Sequence, residues 1–361
     1  MPRSPWPAHA LSRWNVEHPI IQAPMAGGPA TPALVAAASE AGCLGSLGAA
    51  YMTPEAIRAA GHEIRSLTPK PFAINLFLPE HAEASGAAIA RMQALLDPFR
   101  EAVGAPLSPP IPSREHDFEA QLQAVLDVAP AVVSFVFGCP DDALVSRLKA
   151  AGIAVMGTAT CVREAIALEA VGLDAIVAQG AEAGGHRGTF PGAPDPLIGT
   201  MALVPQVVDH VRVPVIAAGG LMDGRGIVAA LALGAGAVQM GTAFLTAREA
   251  GTSAPHRAAL KAAHDDATAI TRAFSGRPAR GIRNRYMDAM AAHDAEVLPF
   301  PLQNALTRGM RTAAAARGEA DYLSLWAGQG LTLRRDGTVA ELVSGWVQQA
   351  EEVMACLHGA R

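Results

Sequence analysis

Val213-Pro214-Val215-Ile216-Ala217-Ala218-Gly219-Gly220 and Gly236-Ala237-Val238-Gln239-Met240-Gly241-Thr242 are two short apolar runs, each closed by glycine. Neither alternates apolar with polar residues, so each reads as a strand buried on both faces, as in a parallel sheet covered by helices. Between Arg225 and Arg248 no formal charge occurs for 22 residues, the length of a membrane span. Four glycines and the polar pair Gln239 and Thr242 break that stretch, which therefore reads as helix, turn and strand rather than as a membrane segment. Outward from this unit the same kind of run recurs at residues 19–23, 43–47, 72–76, 131–137, 153–157 and 174–178, making eight with 213–219 and 236–240. Ala/Leu segments with helix-start signals lie between them, such as Thr31-Pro32 and Thr53-Pro54-Glu55. Eight βα units in an α/β chain predict a (β/α)8 TIM barrel.

The rhythm loosens between Leu76 and Pro130, where segments 80–103 and 113–128 flank a Pro-rich hinge at 106–112. A doubled crossover and an inserted helix both fit there. After Ala250 the rhythm stops, and residues 258–316 are Ala- and Arg-rich without a convincing strand. The expected organisation is a barrel over residues 1–250 with extra helices within 80–128. A mainly helical extension over the barrel mouth follows at 251–330, then a turn and helix at 331–361 packing back on the barrel, with the last helix at 339–357.

The chain has 361 residues, 50% hydrophobic, only 5% aromatic and 17% charged, which excludes disordered and fibrous classes. Lys plus Arg number 28 against 33 Asp plus Glu, a net charge of −5 with no basic face, so nucleic acid is not an expected partner. Cys43, Cys139, Cys161 and Cys356 are far apart, form no CxxC pair and read as buried small hydrophobes in a reducing compartment. The N-terminus, with Pro2, Pro5, Pro7, Arg3 and Arg13, has no apolar signal segment, so the cytoplasm is the expected location.

In such a barrel chemistry sits at the C-terminal ends of the strands. Those ends read Gln22-Ala23-Pro24-Met25-Ala26-Gly27-Gly28, Asn75-Leu76-Phe77, Phe137-Gly138, Gln179-Gly180 through Gly184-Gly185-His186-Arg187-Gly188, Gly219-Gly220 and Gln239-Met240-Gly241-Thr242. The glycines after the last two strands precede helical segments, so bare backbone N–H groups there suit a phosphate at helix N-termini; a tight turn is the plainer reading. Gln22, Asn75, Gln179 and Gln239 can both donate and accept, which suits a flat heterocycle, or they cap loop backbone. His186, alone among the histidines in a glycine-rich strand-end loop, is the candidate base. Glu182 either serves the site or bonds loop backbone, and Arg187 either serves it or is a solvated charge. No GxGxxG opens a first βα unit, no P-loop, HExxH or carboxylate cluster occurs, and no metal site is expected.

These strand-end motifs, in this order, resemble the nitronate monooxygenases, formerly called 2-nitropropane dioxygenases. Pro301-Leu302-Gln303-Asn304 and Trp326-Ala327-Gly328-Gln329-Gly330 resemble segments that bacterial members carry after the barrel, so the likeness runs from about residue 18 to about residue 330. It implies an FMN-dependent TIM barrel that oxidises alkyl nitronates, such as propionate 3-nitronate, with O2 to a carbonyl compound and nitrite, without NAD(P)H or metal. By the same resemblance Ala23, Pro24, Met25, Asn75, Gln179, Gly184, Gly185, Gly219, Gly220, Gln239, Met240, Gly241 and Thr242 would hold FMN. His186 would be the catalytic residue, in a substrate pocket with Met25, Phe137 and Phe300. Relatives commonly carry Tyr before Pro301, so Phe300 lacks a hydroxyl that could touch the nitro group or flavin edge. The expected partners are a small nitronate and O2, with the protein a monomer or homodimer. Three other readings stand beside this one: an FMN- and NAD(P)H-dependent enoyl-acyl-carrier-protein reductase, a flavin-free phosphate-binding barrel, and a non-catalytic FMN-binding paralogue.

Overall fold

Eight strands form one parallel sheet because their residues are apolar on both faces: β1 Ile20–Gln22, β2 Gly45–Gly48, β3 Phe72–Phe77, β4 Val132–Val136, β5 Ala154–Ala159, β6 Ala175–Gln179, β8 Val215–Ala218 and β9 Ala237–Met240. A short β7, Gly185–His186, falls between β6 and β8 and lies outside this sheet. The structure is a computed structural model that describes residue 6, residues 8–110, residues 117–357 and residue 359. Part of the hinge read at 106–112, the start of the segment read at 113–128, and Pro2, Arg3, Pro5 and Pro7 lie outside the described residues.

The sheet runs β1-β9-β8-β6-β5-β4-β3-β2, and its two edges meet: Leu44 N donates to Ile20 O at 2.9 Å and Gln22 N to Leu44 O at 3.0 Å. The strands therefore close into the expected barrel. Alternate side chains point to opposite faces, so Ile21, Val132, Met156, Val177 and Ile216 fill the lumen while Ile20, Val133, Val155, Ile176 and Val215 pack on the helices. A 3₁₀ turn, Ala10–Trp14, stops the lower end, placing Leu11 in the lumen cluster and donating Ala10 N to Gly236 O at 3.0 Å.

Thr31 and Thr53 cap the helices Pro32–Glu40 and Pro54–Leu67, each with proline in the first turn, as their sequences predict. The loose stretch after β3 divides in two. Helix Phe118–Val128 is the barrel crossover against Pro54–Leu67, whereas helix Gly86–Ala102 sends Met92 and Leu96 into a separate apolar cluster with Phe274, Tyr286, Leu306 and Met310. That cluster is the core of a roof over the barrel mouth, so the inserted-helix reading is the one realised.

The roof is not strand-free. Two strands, β10 Thr268–Thr271 and β11 Ala279–Ile282, pair antiparallel within 258–316, and β7 adds to β11. Helices Ala254–Ala262, Arg285–Ala291 and Leu302–Arg317 supply the rest. The last helix, Val339–Leu357, returns to lie between Gly224–Ala232 and Pro32–Glu40, the eighth helical place around the barrel. The barrel is thus not complete at residue 250: apart from helix Gly86–Ala102, the roof is an insertion into its final βα unit. Of the cysteines only Cys43 is buried, and Cys356 is exposed, against the expectation that all are interior. Among the described residues no helix is long and apolar enough to cross a membrane.

The returning helix docks so closely that a Cβ on Gly224 would lie 2.4 Å from Ala350 N and 2.5 Å from Trp346 O, while Gly224 N donates to Gln349 Oε1 at 2.9 Å. Gly224→Ala should therefore lower stability by about 1–3 kcal/mol through overpacking, read as a reduced thermal-unfolding midpoint. An unchanged midpoint would mean that the helix contact contributes little.

Candidate active site

His186 is aimed by backbone pairing rather than by its own loop alone. Ala279 and Arg280 of β11 pair with His186 and Gly185, and Arg187 N donates to Pro278 O at 2.8 Å. This sets His186 Nε2 2.8 Å from Ser275 Oγ, which takes the Arg277 N–H at 3.3 Å and lies 3.3 Å from Arg277 O. The network is satisfied when Nε2–H donates to Ser275 Oγ and the Ser275 hydroxyl donates to Arg277 O. The opposite tautomer leaves that carbonyl without a donor. Nδ1 then carries the lone pair. The rings of Phe77, Phe137, Phe300 and Trp326 stand 5.6–6.3 Å from the imidazole, and burial, with a smaller contribution from the Arg311 charge, pushes its pKa down to about 4. At neutral pH the ring is an uncharged base.

It faces a cavity of about 680 Å³, within the roughly 300–1,000 Å³ of ordinary ligand pockets. The floor is made by strand ends, including Ala23, Pro24, Met25, Asn75, Phe137, Gln179, Gly219, Gly220, Gln239, Gly241 and Thr242, with Gly184 and Gly185 beside His186. Two predicted residues are not on the wall. Met240 points outward into the helix layer, because the strand alternation that turns Gln239 to the mouth turns it away, and Phe300 packs against the His186 ring. Glycine is required where the walls come closest: Gly219 and Gly220 have φ of 119° and 71°, and a Cβ on Gly185 would meet only open cavity.

The four amides divide. Gln22 bonds Ser46 and Ala23 backbone and stays below the floor, and Gln179 spends its carbonyl on Arg187 and Gly188 N. Asn75 Nδ2 donates to Ser134 at 3.0 Å, leaving Oδ1 without a partner among the described residues, and the Gln239 amide makes no bond to any described residue. The two open charges also resolve. Glu182 takes the Thr200 N–H and hydroxyl at 2.8–3.0 Å, capping helix Thr200–Val208. Arg187 is buried rather than solvated, paired with Asp195 at 2.8 Å and bonded to Gly180 O at 2.7 Å. Asp223 likewise occupies the N-terminus of helix Gly224–Ala232. The anion-binding backbone expected at that helix is therefore confined to Gly219-Gly220 and to the 3₁₀ turn Thr242–Phe244, which no side chain caps.

Sequence reasoning missed Tyr51, in the barrel loop after β2, and the roof's share of the wall: His256, Ser275, Arg308, Arg311 and Trp326. Ser275 sits in Ser275-Gly276-Arg277-Pro278 between the two overlooked strands, a turn signal that would have marked a hairpin. Among the described residues no group of three His, Cys, Asp or Glu could hold a metal.

A family model described as nitronate monooxygenase matches residues 10–349. The chain belongs to the nitronate monooxygenase family. It is 42% identical to a "probable nitronate monooxygenase" of Staphylococcus haemolyticus, over 94% of this chain and 96% of that one. Among solved structures it resembles the nitroalkane oxidase of Streptomyces ansochromogenes, with a TM-score of 0.90, 39% identity and coverage of 96% and 99% of the two chains. FabK from Thermotoga maritima gives 0.77 and 30%, with 98% of each chain covered. As a member of this family the chain is an oxidoreductase.

The low pKa has a thermodynamic signature. The folded value of about 4 lies below the ordinary value of about 6.5, so the unfolded chain binds a proton at His186 that the folded one refuses between those limits. The resulting stability is present above pH 6.5 and is lost as pH falls toward 4. His186→Asn should flatten the pH dependence of unfolding free energy between pH 6.5 and 5 by about one proton. Equal slopes in both proteins would show that the imidazole titrates normally.

Proposed function

We propose that the cavity binds FMN and that the enzyme oxidises alkyl nitronates, propionate 3-nitronate among them, with O2 to a carbonyl compound and nitrite, without NAD(P)H. In this reading it works in the cytoplasm as a monomer or homodimer. The observation that carries it is the neutral His186, its Nδ1 without a hydrogen-bond partner among the described residues, on a glycine-lined cavity in a chain of this family.

The residues present fit the cofactor. Gly219-Gly220 and the start of the Thr242–Phe244 turn offer backbone that no side chain caps for a phosphate, Gln239 offers an unspent amide and Asn75 an unspent Oδ1 for a ring edge, and the open space at Gly185 suits a flat ring. When bound, the flavin supplies the electron acceptor that a nitronate, an electron-rich carbanion equivalent, requires. The chain supplies the rest. His186 Nδ1 takes the α-proton of a neutral nitroalkane, while Nε2–H and Ser275 hold the ring in the tautomer that can do so. A nitronate is already deprotonated and needs no base, and the bare Nδ1 offers it no hydrogen bond. Phe77, Phe137 and Trp326 keep water from the reacting carbon. Phe300 backs the His186 ring with carbon alone, so no hydroxyl from that position reaches the substrate.

His186→Asn should cut turnover of nitroethane by about 10²–10⁴-fold, the range of general base catalysis, and leave propionate 3-nitronate within about tenfold. Equal losses on both substrates would remove proton abstraction from its role. Anaerobic addition of propionate 3-nitronate should change the flavin spectrum, and air should then release nitrite. A flavin untouched by nitronate but bleached by NADH or NADPH would transfer the chain to the enoyl-acyl-carrier-protein reductase reading.

A further inference from the structure

His256 takes no part in the His186 network. It is the third residue of helix Ala254–Ala262, only 7% exposed, and its ring forms part of the cavity wall. One ring nitrogen is satisfied by the Trp326 backbone, two residues before Gly328, whose N–H donates to Thr242 Oγ1 at 2.9 Å. The other, Nε2, is buried and has no hydrogen-bond partner among the described residues. An unmet polar atom on the wall of a ligand cavity is a contact reserved for the ligand, because the buried group otherwise forfeits the bond it makes in water.

The chemistry of the missing partner follows from the ring's protonation. A bond to the Trp326 carbonyl requires Nδ1–H, so in the neutral ring Nε2 is a bare lone pair that accepts and cannot donate. Burial, the neighbouring Arg257 charge and the positive end of the helix all disfavour a second proton, and the pKa is pushed down to about 4. Phosphate, carboxylate and nitro oxygens are acceptors only and cannot meet such a nitrogen. A hydroxyl can.

We propose that His256 Nε2 accepts a hydrogen bond from a hydroxyl of a polyol chain, so that His256 binds the sugar-alcohol portion of the flavin rather than its phosphate or the nitronate. The inference rests on the flavin reading above. It adds a binding residue that lies in the roof, outside every strand-end motif.

The test is fluorescence titration of the deflavinated full chain with FMN, with riboflavin, which lacks the phosphate, and with lumiflavin, which lacks the hydroxylated chain. His256→Leu should weaken FMN and riboflavin alike by about tenfold, the loss of one buried hydrogen bond, and leave lumiflavin unchanged. The unfolding midpoint of flavin-free His256→Leu should stay level or rise, since an orphaned polar atom has been removed. His256→Gln, which restores an acceptor near Nε2, should recover FMN affinity to within about threefold. Loss confined to FMN would make the partner the phosphate and overturn the proposal. Equal loss for all three flavins with a lowered flavin-free midpoint would make His256 structural, and unchanged affinity for FMN would remove it from the site. If the unsubstituted chain binds no flavin, the proposed function falls together with this inference. If it binds flavin and His256→Leu does so equally well, the inference alone falls.

Discussion

Two residues of backbone hold the site together. Gly185 and His186 leave the barrel after β6 and are captured by Arg280 and Ala279 of the roof, so the imidazole direction is set by a ladder rather than by a loop. Everything that gives His186 its chemistry follows from that capture. Ser275 stands at Nε2 because it belongs to the turn between β10 and β11, and that turn is itself held by Tyr286 Oη and Gln303 Nε2, which both donate to Ala273 O at 3.0 and 2.8 Å. A base on a free loop would sample many directions; here the ring is fixed before any ligand arrives.

Charge is kept off the floor of the cavity, while Arg308 and Arg311 stand on its roof side. Glu182 and Asp223, each close to the cavity in sequence, are spent on helix N-termini, and Arg187 is spent on Asp195 and the loop carbonyls. The groups left on the floor are backbone N–H, amides and one neutral imidazole ringed by aromatic faces. Burial and the Arg311 charge leave the base unprotonated, a state that a free carboxylate beside His186 would spoil by favouring the charged ring.

The barrel was legible because its strands are apolar on both faces and are bounded by Gly, Pro or Asn, a pattern that needs no tertiary information. The caps at Thr31 and Thr53 and the final helix Val339–Leu357 were equally plain. What escaped were elements whose identity is conferred by partners. β7 has two residues and no periodicity of its own, and all four residues of β10 are only half-buried, so no apolar run announces them. At the site, His186 could be found from its glycine setting, and Gln239 from its strand end. Ser275 and His256 could not, since one lies in a hairpin taken for helix and the other in an ordinary amphipathic segment. Met240 was misplaced by a single step of the strand's alternation.

The position of the roof inside the last βα unit bears on the order in which the protein can assemble. A ribosome releases all the barrel strands before it makes most of the roof, and it makes the eighth barrel helix only after the roof. Until Val339–Leu357 emerges, the groove between Gly224–Ala232 and Pro32–Glu40 has nothing to cover it, and until Trp326–Gly330 emerges the cavity lacks a side. Met92 and Leu96 wait through the same interval for Phe274, Leu306 and Met310. Closing contacts this distant in sequence is slow. Between the completion of β9 and the arrival of Trp326–Gly330 the nascent chain therefore carries an uncovered barrel mouth, and the pocket comes into being only together with the sealing of the barrel.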